Sequence, residues 1–71
     1  SARGRADAVV KTPKYIYVFE FKLNGTAEQA LQQIDDRMYA EEYEDDYDQI
    51  LCYGISFFKK RCMVKKKLVK T

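Results

Sequence analysis

Near the start of this 71-residue sequence, Asp7, Glu20 and Lys22 have the types and spacing for metal-assisted chemistry. The stretch YVFEFKL (residues 17–23) sets a glutamate and a lysine two positions apart in an otherwise apolar run. Side chains alternate along a strand with a period of two, so Glu20 and Lys22 share a face with Ile16 and Val18. Tyr15, Tyr17, Phe19, Phe21 and Leu23 share the other. Both faces are largely apolar, which is the pattern of a strand covered on both sides. Charges rarely enter such a strand unless they are paired or bind a metal. Either Glu20 and Lys22 have chemical work to do, or this end of the strand is open to water.

The hairpin register brings in Asp7. If the turn at Pro13-Lys14 is a two- or four-residue loop, paired positions sum to 27. Val10 then faces Tyr17, Asp7 faces Glu20, and Arg5 falls opposite Lys22. A three-residue loop would separate the carboxylates. Pro13 disfavours the primed two-residue turn, which needs positive φ, so the four-residue form is expected. Directly opposed residues place their β-carbons roughly 4.5–5.5 Å apart, and like charges there are destabilising. Two such carboxylates suit a hard divalent cation: Mg²⁺ binds through one or two carboxylates plus substrate phosphates. Held there, it can activate water and offset charge on a phosphate. Lys22 is placed to orient that water or steady the phosphoryl oxygens. The alternative is a frayed Asp7 beside solvated ion pairs of Glu20 and Lys22, worth about 0–1 kcal/mol each.

The elements that would position these groups follow from pattern and punctuation. Residues 6–12 (ADAVVKT) and Tyr15–Leu23 read as two strands of a hairpin. Asn24-Gly25 breaks the second. Thr26 with Gln29 three residues on is a capping-box signature. Ala27, Ala30, Leu31, Ile34 and Met38 fall on one stripe, predicting an amphipathic helix over residues 26–38. Tyr39, Tyr43 and Tyr47 recur among acids, as a short helix or a loop. Residues 49–57 (QILCYGISF) form a third strand with Leu51, Tyr53, Ile55 and Phe57 on its heavier face. A turn near 58–60 leads to a basic fourth strand over Arg61–Lys70. A crossover helix between the second and third strands makes them parallel. The fold class expected is α/β of the α+β kind: β-hairpin, crossover helix, β-hairpin, giving a mixed sheet with one helix on a face.

Composition bounds the function. One small domain of this length is marginally stable alone. No apolar run approaches the ~20 residues of a membrane span, and the N-terminus lacks the apolar core of a signal peptide, so a cytoplasmic location is expected. The sequence has no histidine, which excludes His-based triads, His zinc ligands and a His general base. Cys52 and Cys62 lack zinc-type spacing and are expected to be reduced, with a disulfide as the alternative. The net charge is only +2, but it is unevenly spread. Residues 41–48 hold six acids and no base, and residues 59–70 hold seven bases and no acid. The basic segment suits either nucleic acid or a solvated edge strand guarded by lysines.

"GRAD" (residues 4–7) followed by "EFK" (residues 20–22) resembles the PD-(D/E)XK nuclease superfamily, which has the restriction-endonuclease-like fold. The longer run GRADAVVKTPKYIYVFEFKLNGTAEQALQQI is similar to the nuclease-like C-terminal domain of bacterial AAA-ATPase-like proteins. The resemblance implies Asp7 and Glu20 as ligands of Mg²⁺ or Mn²⁺, with the Phe21 carbonyl as a further ligand. It implies Lys22 as the catalytic lysine, Gln33 as the helix glutamine of the site, and Tyr39 as a candidate tyrosine. It also implies hydrolysis of DNA phosphodiester bonds. That fold normally begins with a helix and a strand before the aspartate. The expectation is therefore a partial core over residues 4–71, truncated on its N-terminal side, with residues 1–3 a flexible start. A homo-oligomer covering the exposed sheet face is a further expectation. The competing function is a non-catalytic module for assembly or nucleic-acid docking.

Overall fold

A computed structural model describes residues 4–70; residues 1–3 lie outside that range, as does Thr71. The chain runs β1 (Ala8–Lys11), β2 (Tyr15–Leu23), α1 (Ala27–Asp36), a 3-10 turn at Glu41–Tyr43, β3 (Gln49–Phe58) and β4 (Arg61–Lys70). One sheet takes the order β1-β2-β3-β4. Its outer pairs are antiparallel and its central pair, β2 with β3, is parallel. This is the mixed sheet with a crossover helix expected of the sequence, in the α+β class.

The first hairpin keeps the register that sums to 27, from Ala8↔Phe19 to Lys11↔Ile16. Four residues, 12–15, separate its last paired positions. Thr12 closes the loop: its backbone N–H donates to the Tyr15 carbonyl at 2.8 Å, and its hydroxyl accepts from the Tyr15 N–H at 2.8 Å. Neither Pro13 nor Lys14 has positive φ, so the loop is not a primed turn. The second hairpin differs. Lys59 and Lys60 both have positive φ (47° and 64°) in a two-residue turn between the paired Phe58 and Arg61.

Helix α1 starts with the capping box. The Thr26 hydroxyl accepts from the Gln29 N–H, and the Gln29 side chain accepts from the Thr26 N–H, both at 2.9 Å. The helix ends at Asp36, two residues before the predicted end. Met38 adopts φ 59°, and Tyr39 N–H reaches back to the Ile34 carbonyl while Met38 N–H reaches Asp35. These are the two bonds of a Schellman cap. Met38 is thereby turned off the predicted stripe and left 40 % exposed.

The helix covers one face of the sheet. Ile16, Val18, Ile50 and Cys52 from the strands meet Ile34, Tyr39 and Ala40 in the core. Burying an Ile or Val side chain contributes about 1.5–3 kcal/mol, and trimming Ile16 or Ile50 to alanine would cost about 2–5 kcal/mol. The opposite face is open. There Phe19 stacks on Tyr53 with ring centroids 5.2 Å apart, and Phe21 stacks on Phe57 at 6.3 Å. Residues 41–48 resolve into the short 3-10 turn and a loop, with Tyr43 edge-on to Tyr47 at 6.1 Å. The loop returns to the foot of the sheet, where Asp48 and Gln49 N–H groups donate to the Lys14 carbonyl. Among the described residues, no helix is long and apolar enough to cross a membrane.

Candidate active site

Glu20 lies on the helix-covered face of β2 and is only 2 % exposed. The strand end is therefore not open to water at this position. The Glu20 carboxylate is held from two sides. Its Oε1 accepts from the Asp7 backbone N–H at 3.1 Å, and its Oε2 accepts from the Gln33 side-chain amide at 2.5 Å. Asp7 makes the reciprocal contact: its Oδ2 accepts from the Phe21 N–H at 2.8 Å. The two carboxylates, 13 positions apart in sequence, thus sit at the open end of the hairpin, Glu20 bound to the backbone amide of Asp7, just before β1, and Asp7 to that of Phe21 on β2.

The electrostatics match this geometry. Burial pushes the Glu20 carboxyl above its ordinary value. The Asp7 N–H opposes that, the Asp7 carboxylate adds to it, and Lys22 partly offsets it. Lys22 follows on the same face, level with Ser56 of β3, and is half-buried. It lines a shallow hollow with Gln29, Gln33 and Arg37 on one side of α1.

Gln33, implied by the resemblance as the helix glutamine, donates directly to the Glu20 carboxylate. Phe21 contributes its N–H, while its ring lies 41 % exposed on the open face. Tyr39 is placed differently from the carboxylates. It is buried in the core cluster after the helix cap, and a β-carbon built on Gly4 would stand 3.5 Å from its hydroxyl.

Sequence reasoning missed Gly54. It pairs with Glu20 across the parallel ladder and is buried beneath the first turns of α1. A β-carbon there would stand 2.1 Å from the Ala27 carbonyl oxygen and 2.5 Å from the Leu31 nitrogen. Only glycine lets the helix backbone approach so closely, and that approach sets the height of Gln33 over Glu20. A glycine isolated inside a strand pattern was the available signal.

The donor set consists of carboxylate oxygens, with no imidazole. Among the described residues, no group of three or more His, Cys, Asp or Glu side chains converges on a metal position. A carboxylate has about four lone-pair sites, so Asp7 and Glu20 keep acceptor capacity beyond their present hydrogen bonds. Two carboxylates fit a hard cation that retains waters.

A scan against protein families matches residues 1–67 to the PD-(D/E)XK nuclease superfamily. The chain belongs to that superfamily, and its sheet, helix and hairpin are consistent with a small, partial restriction-endonuclease-like core. Searches of curated proteins and of solved structures returned no match.

Proposed function

We propose that the chain is a divalent-metal-dependent nuclease domain that hydrolyses phosphodiester bonds in DNA. The observation that carries this reading is the interlocked Asp7–Glu20 pair, braced by Gln33. Two carboxylates set together beside a half-buried lysine are costly as structure alone. Asp7 and Glu20 would hold Mg²⁺ or Mn²⁺, with the Phe21 carbonyl as a further oxygen donor. The bound metal would supply an activated water and charge stabilisation at the scissile phosphate. Lys22 positions that water or a phosphoryl oxygen, and Gln33 keeps the Glu20 carboxylate oriented.

Calorimetric titration with Mn²⁺ tests this, run on the unmodified chain beside Asp7→Asn, Glu20→Gln and Lys22→Gln. Saturable binding lost in the first two variants and kept in the third, with cleavage of a plasmid lost in all three, supports the assignment. Absence of Mn²⁺ binding by the folded, unmodified chain would sink it.

One observation favours a second reading, a non-catalytic docking module. Both Glu20 oxygens are already engaged by N–H donors, so the pair can hold the hairpin without metal. Under that reading the same titration is silent, and Glu20→Gln leaves nucleic-acid binding unchanged.

A further inference from the structure

We infer that Lys59, Lys60 and Arg61, at the tip of the β3–β4 hairpin, form an arm that contacts the phosphate backbone of a nucleic acid approaching the Asp7–Glu20 site. For the nature of the partner, this rests on the nuclease reading above. The first observation is the backbone. A two-residue turn with positive φ at both positions favours Asn-Gly, Asp-Gly or Gly-Gly. Here the positions are Lys59 and Lys60, with φ of 47° and 64°. A left-handed conformation at a residue of this kind costs roughly 1–2 kcal/mol. The turn therefore carries two lysines at a structural cost.

Edge protection does not account for them. Lysines along an edge strand blunt its unpaired backbone groups. That explains Lys65, Lys66 and Lys67 on the exposed strand β4, but a turn offers no such ladder. Two of the strand lysines are also occupied locally, Lys65 with Glu28 and Lys67 with Asp35, both at 3.8 Å. Among the described residues, Lys60 and Arg61 have no carboxylate within ion-pair distance, and Lys59 sits 5.4 Å from the ring centre of the half-exposed Phe58.

Topology then places the arm. Because β2 and β3 are parallel, the end of β3 rises beside the end of β2, with Leu23 level with Phe57. The hairpin tip thus stands at the same end of the sheet as Lys22 and the exposed Arg5. Gly54 is level with Glu20, and Phe58 lies about 13 Å further along at about 3.3 Å per residue. That rise spans about four phosphates along the axis of a duplex strand, at about 3.4 Å each. The acids are at the other end: the loop holding Glu41, Glu42, Glu44, Asp45, Asp46 and Asp48 docks on Lys14 at the foot of the first hairpin. Basic side chains thus gather at the hairpin tip and acidic ones at the opposite end of the sheet, an asymmetry that favours approach of a polyanion from the tip.

The test replaces the arm by the sequence that its backbone prefers, Lys59→Asn with Lys60→Gly. A labelled DNA duplex is titrated by fluorescence anisotropy, without divalent metal, at several salt concentrations. The variant is expected to melt at a higher temperature and yet bind DNA more weakly. Its plot of log K against log salt should be shallower by about 1.8, two contacts at about 0.9 each. Lys14→Gln, at the opposite end, is expected to leave the slope unchanged. If the hairpin variant keeps the slope of the unmodified chain, or Lys14→Gln flattens it as much per charge, the arm is refuted while the metal site stands on its own titration. If the unmodified chain shows no salt-dependent DNA binding at all, the arm is refuted outright.

Discussion

The Ala27 carbonyl oxygen lies so close over Gly54 that a β-carbon on the glycine would stand 2.1 Å from it. This contact, rather than any polar bond, fixes how near α1 comes to β3, at the position paired with Glu20 on β2. Gly54→Ala must push the helix outward, and overpacking of this kind costs typically about 1–3 kcal/mol. We predict a loss of at least about 2 kcal/mol, read from urea unfolding, because the obstructing atoms are backbone. In the folded fraction the Gln33 side-chain amide should lose the NMR shift imposed by the Glu20 carboxylate. An unchanged shift and stability would show that the helix height is set elsewhere.

Glu20 makes stability depend on pH in an unusual sense. Its folded-state pKa is raised above the ordinary 4.5, chiefly by burial. The folded state thus holds this proton to a higher pH than the unfolded chain does. From this group, stability is greatest below pH 4.5 and falls as pH rises from there through the raised folded value, levelling off above it. Glu20→Gln removes that slope, and thermal unfolding across the range would reveal it. An equally steep decline in the variant would assign the effect to other groups. Metal binding, which needs the carboxylate ionised, should strengthen over the same rise in pH.

Met38, like Lys59 and Lys60, is held at positive φ without being Gly or Asn, and it occupies the position after a helix end where glycine is favoured. Its side chain is 40 % exposed, so little packing is lost by removing it. Met38→Gly is expected to stabilise the fold by about 1 kcal/mol, with Met38→Ala giving no such gain. Equal effects of the two variants would mean that the methionine side chain, not its backbone, matters.

The two free cysteines should react at different rates. Burial raises the Cys52 thiol to about 11, and its side chain is sealed between sheet and helix. Cys62 is exposed on β4. At pH 8 a thiol reagent is expected to modify one cysteine quickly in the folded chain and both in denaturant. Mass spectrometry of the tryptic peptides would identify Cys62 as the fast one.

Much of this arrangement was legible in the sequence because the informative signals were local. Thr26 and Gln29 announced the helix start, and both halves of the capping box are present. The Pro13 turn set a register from which Asp7 opposite Glu20 followed by counting. Gln33 was implied as the helix glutamine by the resemblance, and its bond to Glu20 became visible only in the fold. The helix end was not legible: Met38 in a left-handed cap contradicts local preference, and the Tyr39–Ile34 contact that supports it is a packing event. The turn near 58–60 was legible, but Lys59 and Lys60 gave no sign of its two-residue, positive-φ form. Gly54 passed unremarked inside a strand because nothing within β3 reports what lies above it. The tyrosines of the acidic segment, recurring every four residues, fitted a short helix or a loop equally, and its course is set by the Lys14 carbonyl from a distant part of the chain.

The parallel ladder between β2 and β3 also governs how the chain reaches this state. Its partners are far apart, as Tyr15 with Gln49 and Leu23 with Phe57. The two hairpins and the capped helix, by contrast, join neighbours, and such local units form in microseconds. The central ladder must wait for loop closure across the whole crossover before it gains any contact, so its docking is expected to set the folding rate. Each hairpin meanwhile exposes a bare inner strand edge. Until β2 finds β3, the interval before closure is when the chain is most prone to pair with a neighbour instead of itself.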